Sequence, residues 1–307
     1  MSRKDDSATG AILSNIQPYC RLLFMRITIF SLVIVATLSM PHANALNHWG
    51  ASDAPISHQE STPTGQAATQ GPASADKTSA TNVDDSMAHW STCAQPECYP
   101  GGKGIPVSTD QTINNSSPSV DGASMLLAMT ANSKAFYSDV LWPYKPRSCD
   151  ACTQMRTDFW AYPVSPAHVA ALEYDAFLFD ATNQLNIMWG VQWNQRKGRW
   201  QIWNQGKSQW MDTTVTSGPT FGVWNHLQFA DHRVIGDTAC DGTECLYYDS
   251  MTLNGTTYTL NLTEPAGPIH PGWHSVAGFQ FQLDAIPAAG GPVTLVEYID
   301  KANMSAK

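Results

Sequence analysis

The sequence predicts an all-β protein, a two-sheet antiparallel jelly-roll sandwich, on three observations. Charged side chains make up only 14% of the 307 residues, against about a quarter in an ordinary globular chain, and Ser, Thr, Asn, Gln, Gly and Trp fill the deficit. Exposed helix faces normally carry Lys and Glu, so this composition suits pleated strands and turns instead. Alternating apolar and polar runs also recur at short intervals between Gly, Pro, Asn and Asp clusters. The third observation is Asn254-Gly255 between two such runs, because both residues tolerate the positive φ of a type I′ hairpin turn.

In chain order, Arg26 to Met40 is an apolar run too short to span a bilayer comfortably, and Ala43-Asn44-Ala45 follows it as an Ala-x-Ala cleavage pattern. Residues 1–45 are therefore expected to be a signal peptide. Met25-Arg26 would itself open a short basic n-region, so residues before it read as an upstream extension. Residues 46–89 contain no Phe, Tyr or Cys and show no hydrophobic period; they read as a disordered Ser/Thr/Ala/Pro spacer unable to offset its ordering entropy. The jelly-roll domain is expected over 90–302, with 303–307 as a tail.

Cys20 precedes the cleavage pattern, and the remaining six cysteines fall into close pairs: Cys93 and Cys98, Cys149 and Cys152, Cys240 and Cys245. Six cysteines permit fifteen connectivities, but close spacing in an oxidising compartment favours local disulfides. A zinc site would want two Cys-x-x-Cys knuckles, and only Cys149-Asp-Ala-Cys152 exists. The expected location is secreted, periplasmic or cell-surface, with no membrane attachment after cleavage.

Strands are expected at Ser124 to Met129, Ala135 to Trp142, Met155 to Val164, Ala171 to Phe179, Leu185 to Trp193 and Trp200 to Trp203. Five more follow at Trp224 to Phe229, Cys245 to Leu253, Thr256 to Leu262, Val276 to Leu283 and Val293 to Ile299. The best short helix is Pro166 to Ala170. Alternation places Leu172, Tyr174, Ala176 and Leu178, then Ile187, Trp189, Val191 and Trp193, between the sheets. The opposite face receives Glu173, Asp175 and Phe177, with Gln192, Gln280 and Gln282 if their strands are neighbours. Trp200 is read as core and Trp203 as facing away from it. A surface of carboxylates, amides and rings suits sugars, whose hydroxyls need donors and acceptors while their C–H faces stack on rings.

Seventeen basic and 26 acidic residues leave a net charge of −9, which argues against a polyanion such as nucleic acid. No Gly-x-Ser-x-Gly elbow or phosphate-binding glycine loop occurs. His270-Pro271-Gly272-Trp273-His274 has metal-like spacing, but its Pro and Gly indicate a loop.

Pro100-Gly101-Gly102, Asn114 to Gly122, Ala171-Leu172-Glu173-Tyr174-Asp175 and Tyr298-Ile299-Asp300-Lys301 resemble landmarks of a group of secreted bacterial proteins in the concanavalin A-like lectin/glucanase superfamily. Trp224-Asn225-His226-Leu227, Leu246-Tyr247-Tyr248-Asp249 and the Asn254-Gly255 hairpin are similar to a laminin-G pattern. The resemblance spans residues 100–301 and implies a jelly roll that binds carbohydrate, hydrolyses or cleaves it, or serves adhesion. Glu173 and Asp175 match the metal-holding strand of legume lectins, with Phe177 at the position that offers a carbonyl. The remaining ligand positions fall on Phe179, Gln184 and Met188. Even with Asp180 added, the set falls short of the six to eight oxygens calcium prefers. Glu173 and Asp175 also match the nucleophile and helper of laminarinase-type glycosidases, but the acid/base positions hold Phe177 and Leu178. Glu297 or Asp300 would have to approach from a neighbouring strand.

The expectation is therefore a secreted, non-catalytic protein that binds a polysaccharide or oligosaccharide, without a cofactor, calcium being the ion that the resemblance would allow. Its expected contact residues are Glu173, Asp175, Phe177, Gln192, Trp203, Gln280 and Gln282. The alternatives are a glycosidase or polysaccharide lyase using Glu173 and Asp175, and a structural or adhesion module.

Overall fold

A computed structural model of the chain describes residues 77–94, 106, 108–113, 116–131, 138–149, 151–240, 244–269, 273–286 and 292–307. The leader, the spacer up to residue 76, Cys98 and His270 lie outside the described residues. In chain order the strands are β1 (Thr78–Ala80), β2 (Cys93–Ala94), β3 (Ser108–Thr112), β4 (Met125–Ala131), β5 (Ser138–Arg147), β6 (Gln154–Pro163), β7 (Val169–Asp180) and β8 (Leu185–Asn194). They continue as β9 (Arg199–Asn204), β10 (Gln209–Asp212), β11 (Asn225–Val234), β12 (Cys245–Leu253), β13 (Thr256–Pro265), β14 (Gly267–Pro268), β15 (Val276–Ala285) and β16 (Val293–Ala306).

These strands form two antiparallel sheets, the jelly-roll sandwich that the alternation predicts. The first sheet has the order β13-β12-β11-β6-β16-β4-β3, with β1 beside β16. The second has the order β10-β9-β8-β7-β15-β5-β2, with β14 beside β8. Leu172, Tyr174, Ala176 and Leu178 enter one core with Ile187, Trp189, Val191 and Trp193. Phe159, Leu227, Phe229, Met251 and Ile299 of the first sheet belong to the same core. Phe159 meets Phe281 edge-on at 5.0 Å, a geometry that aromatic quadrupoles favour. At the predicted hairpin, Leu253 pairs with Thr256, and Asn254 and Gly255 take φ values of 50° and 81°. The Asn254 side chain also accepts a hydrogen bond from the His226 amide at 2.9 Å, which ties the turn to β11.

Three boundaries differ from the sequence reading. Residues 77–89, assigned to the spacer, include β1, which pairs Thr78 with Ala306, and the 3-10 turn Val83–Asp85 with Val83 buried. Residues 303–306, assigned to a tail, complete β16 by pairing with β6 and β1. Pro166 to Ala170 forms no helix: a turn at Ala167-His168 leads into β7, and His168 sits at φ 65°, outside the right-handed helical region. The strand ladder wins because it satisfies the backbone of β7 along its whole length.

Cys149 is bonded to Cys152 and Cys240 to Cys245, as local disulfides. Both loops converge on Arg233 of β11. Its Nε donates to the Cys152 carbonyl at 2.6 Å, and its Nη1 lies 2.7 Å from Glu244 and 3.5 Å from Asp180, all three side chains being nearly inaccessible. A second polar device lies between the sheets, where Tyr174 of β7 donates to Glu297 of β16 at 2.7 Å. Burial pushes the Glu297 carboxyl up to about 8, against the pull of the Tyr174 hydrogen bond.

Candidate functional site

Pairing register gathers the polar residues of the second sheet into a row perpendicular to its strands. Gln282 of β15 pairs with Glu173 of β7, Glu173 with Gln192 of β8, Gln192 with Gln201 of β9, and Gln201 with Asp212 of β10. Each residue occupies the same side of the pleat, away from the core. Side-chain hydrogen bonds join the residues at each end of the row. Gln282 Nε2 donates to Glu173 at 2.8 Å and to Asp284 at 2.9 Å. Gln192 Nε2 and Asn194 Nδ2 donate to Gln201 Oε1 at 2.8 and 2.9 Å, and Gln201 Nε2 donates to Asp212 at 2.6 Å. Lys197 also donates to Asp212 at 2.8 Å. Hydrogen bonds from Lys197 and Gln201 hold the Asp212 carboxyl below its ordinary range.

A second row runs beside the first. Gln280 of β15 pairs with Asp175 of β7, and Asp175 with Gly190 of β8. Gln280 Nε2 donates to Asp175 at 2.5 Å. Burial pushes the Asp175 carboxyl up to about 6, against hydrogen bonds from Glu173, Gln280 and the backbone at Val191. Beyond Gly190 stand Trp203 and Trp210, paired on β9 and β10 with ring centroids 5.4 Å apart. Gly190 permits their approach: a Cβ there would lie 2.8 Å from Trp203 Cβ, 3.1 Å from Asp175 Oδ1 and 3.3 Å from Trp210 Cη2.

The other sheet fixes this wall. The β8–β9 ladder stops at Val191 and Ile202, and the Tyr248 hydroxyl of β12 enters beyond it. That hydroxyl accepts from the Gly190 amide at 3.1 Å and donates to the Trp203 carbonyl at 2.9 Å. Tyr248→Phe leaves both buried backbone groups without this partner. It is expected to destabilise the fold by about 1–3 kcal/mol, read as a lower urea midpoint with an unchanged m-value; an unchanged midpoint would contradict the bridging role.

The structure brings Glu173, Asp175, Gln192, Gln280 and Gln282 together on one face, but all five are only 1–5% exposed. The accessible part of the face lies at β8–β10, where Asn194, Arg199, Trp203 and Trp210 are half-buried and Asp212 is exposed. Phe177, expected as a stacking surface, is 1% exposed in a small separate apolar cluster with Phe179, Met188 and Ile269. Its ring stacks on Phe179 at 4.7 Å, and Phe179 meets Trp273 at 4.6 Å. That packing takes Phe177 out of the contact set. Gln201, Trp210 and Asp212 join the rows without having been among the expected contacts; only the register shows which face they share.

The carboxylates expected from elsewhere do not approach Glu173. Glu297 and Asp300 both lie on β16 of the opposite sheet; Glu297 is engaged by Tyr174, and Asp300 accepts from Ser119 Oγ at 2.9 Å and from the Val120 amide at 2.5 Å. Asp212 stands three strands from Glu173, about 14 Å at the usual inter-strand spacing. Hydrolysis with retention or inversion needs carboxyl groups about 5–9.5 Å apart. No group of three or more His, Cys, Asp or Glu suited to a metal occurs among the described residues.

No protein-family model matches the chain, and no curated protein matches it. Among solved structures it is similar to the cellulose-induced protein Cip1, at 9% identity and a TM-score of 0.42 over 73% of this chain and 96% of that one. It is also similar to the alginate lyase vAL-1 from Chlorella virus, at 9% identity and a TM-score of 0.41 over 65% and 90%. Lectin I-B4 from Griffonia simplicifolia gives 10% identity and a TM-score of 0.34 over 75% and 99%.

Proposed function

We propose that this chain is an exported carbohydrate-binding protein without catalytic activity, and that its ligand lies across β8, β9 and β10 of the second sheet. The observation that carries the reading is the pair of adjacent rows, hydrogen-bonding groups in one and Trp203 with Trp210 in the other. Indole faces stack on the C–H faces of sugar rings, while amides and carboxylates serve the hydroxyls as donors and acceptors. Glu173, Asp175, Gln280 and Gln282 form a buried, mutually bonded group beside Gln192 and Gln201, which are also buried and are bonded to each other. The pairing of each amide with a fixed acceptor reduces the ordering cost that a ligand would otherwise meet. Asp284 shares the Gln282 Nε2 donor with Glu173, but Glu173 is only 5% exposed, which favours binding over hydrolysis.

A glycan array probed with the purified protein tests this reading. Trp210→Ala should weaken the strongest glycan signal about tenfold, since loss of one aromatic contact and its buried area is worth roughly 1–2 kcal/mol. The fold should remain, because Trp210 is half-buried on the last strand of its sheet. Binding equal to that of the parent protein, or release of reducing ends from a bound glycan, would defeat the proposal.

A further inference from the structure

The outward face of the first sheet, on the other side of the core, carries its own aromatic and polar surface. Trp160 of β6 stacks on His226 of β11 with ring centroids 4.7 Å apart and planes 9° from parallel. Next along β6, Tyr162 meets Trp224 at 5.4 Å and Tyr298 of β16 at 6.2 Å, both edge-on. All five rings are half-buried.

Beside the rings lie two in-register polar rows. The first is Thr252, Gln228, Asp158 and Asn303, on β12, β11, β6 and β16. The second is Ser250, Ala230, Arg156, Ser305 and Ser79, reaching β1 at its far end. Short side chains at Ala230 and the three serines lower the second row, and a trough of about 410 Å³ lies over both. Asp158 is fixed at its edge, bonded to His226 Nε2 at 2.8 Å and Gln228 Nε2 at 2.7 Å. Asn303 is likewise held, accepting from the Asn82 amide at 3.0 Å and donating to the Lys301 carbonyl at 2.7 Å.

We infer that this trough is a second saccharide-binding surface, selective for a neutral glycan chain. One guanidinium and one carboxylate balance within the lining, which favours neither a polyanion nor a polycation. Hydroxyl and amide groups supply donors and acceptors in alternation, which suits a polyhydroxylated ligand and not an apolar one. The adjoining Trp160 and Tyr162 supply rings for stacking. Because the surface belongs to the opposite sheet, the inference stands independently of the site at Trp203 and Trp210.

Affinity electrophoresis of the full chain through gels containing neutral glucans, mannans, xylans or galactans, with polygalacturonate as the acidic arm, tests it. The Trp210→Ala protein should still be retarded by at least one neutral polysaccharide. Adding Asp158→Asn or Trp160→Ala should then lower the association constant about tenfold or more, with the melting temperature unchanged. If Trp160→Ala does not fold, Asp158→Asn and Gln228→Ala decide the matter. The inference is overturned if Trp210→Ala alone abolishes retardation in every neutral gel, if Asp158→Asn and Trp160→Ala leave it unchanged, or if only polygalacturonate retards the protein. A concentration-dependent dimer lost on Trp160→Ala would likewise overturn it, assigning the face to a second copy of the chain.

Discussion

Arg233→Met is expected to destabilise the sandwich by about 3–5 kcal/mol, the usual cost of removing one partner from a buried ion pair. Glu244 and Asp180 would remain inaccessible without the guanidinium that lies 2.7 and 3.5 Å from them, and the Cys152 carbonyl would lose its Nε donor. A domain of this size shifts by roughly 2–4 °C per kcal/mol, so calorimetry should show a fall of about 10 °C or more. Adding Glu244→Gln to Arg233→Met should recover part of the loss, because it removes one of the stranded charges. A melting temperature within a few degrees of the parent would mean that water reaches the triad and that it contributes little.

The second large effect concerns pH. Glu297 carries a carboxyl raised from 4.5 to about 8 in the folded chain. Between those values the native state binds a proton that the unfolded state has released, so stability falls as pH rises through the window. The favourable contribution is fully present below about pH 4.5 and is lost above about pH 8. At 1.36 kcal/mol per pKa unit, the whole change is about 5 kcal/mol. Glu297→Gln keeps an acceptor for Tyr174 and removes the titration, so the variant should become increasingly more stable than the parent from pH 5 to pH 8.5. Urea unfolding at four pH values would show it as a diverging difference in midpoint. Parallel pH profiles for the two proteins would show that Glu297 ionises in the folded state at an ordinary pH.

The strands with strong apolar alternation were legible in the sequence: β6, β7, β8, β12 and β15 each turn an apolar face to the core, and the alternation is the trace of it, although β7, β8 and β15 are buried on their polar face as well. Less was legible where a strand buries little. Four of the five residues of β3, Ser108, Thr109, Asp110 and Thr112, are exposed, so Ser108–Thr112 shows no apolar period. β1 and β14 are three and two residues long and exist because a neighbouring strand has free backbone groups. At the candidate site, alternation assigned Glu173, Asp175, Gln280 and Gln282 to the correct face, but not the depth at which they lie. Phe177 shows the limit most plainly: its face follows from period two, whereas its burial depends on Phe179 and Trp273 folding over it. Gln201, Trp210 and Asp212 needed the register of three separate strand pairs, a long-range property that no local pattern encodes.

The row from Gln282 to Asp212 draws one residue from each of five strands, over about 19 Å at the usual strand spacing. A chain-like ligand at its open end would meet Asp212, while Gln282, Glu173, Gln192 and Gln201, only 1–5% exposed, lie beneath the surface. The buried positions are bonded in pairs, Gln282 with Glu173 and Gln192 with Gln201, so a substitution at one leaves a buried partner unsatisfied. One extra residue inside β7, β8 or β9 would exchange the two faces of the strand beyond it, turning Glu173 or Gln192 into the core and an apolar partner out. Lineages of this chain should accordingly diversify by substitution at the exposed end of the row, at Asp212, and by length only in the connecting turns.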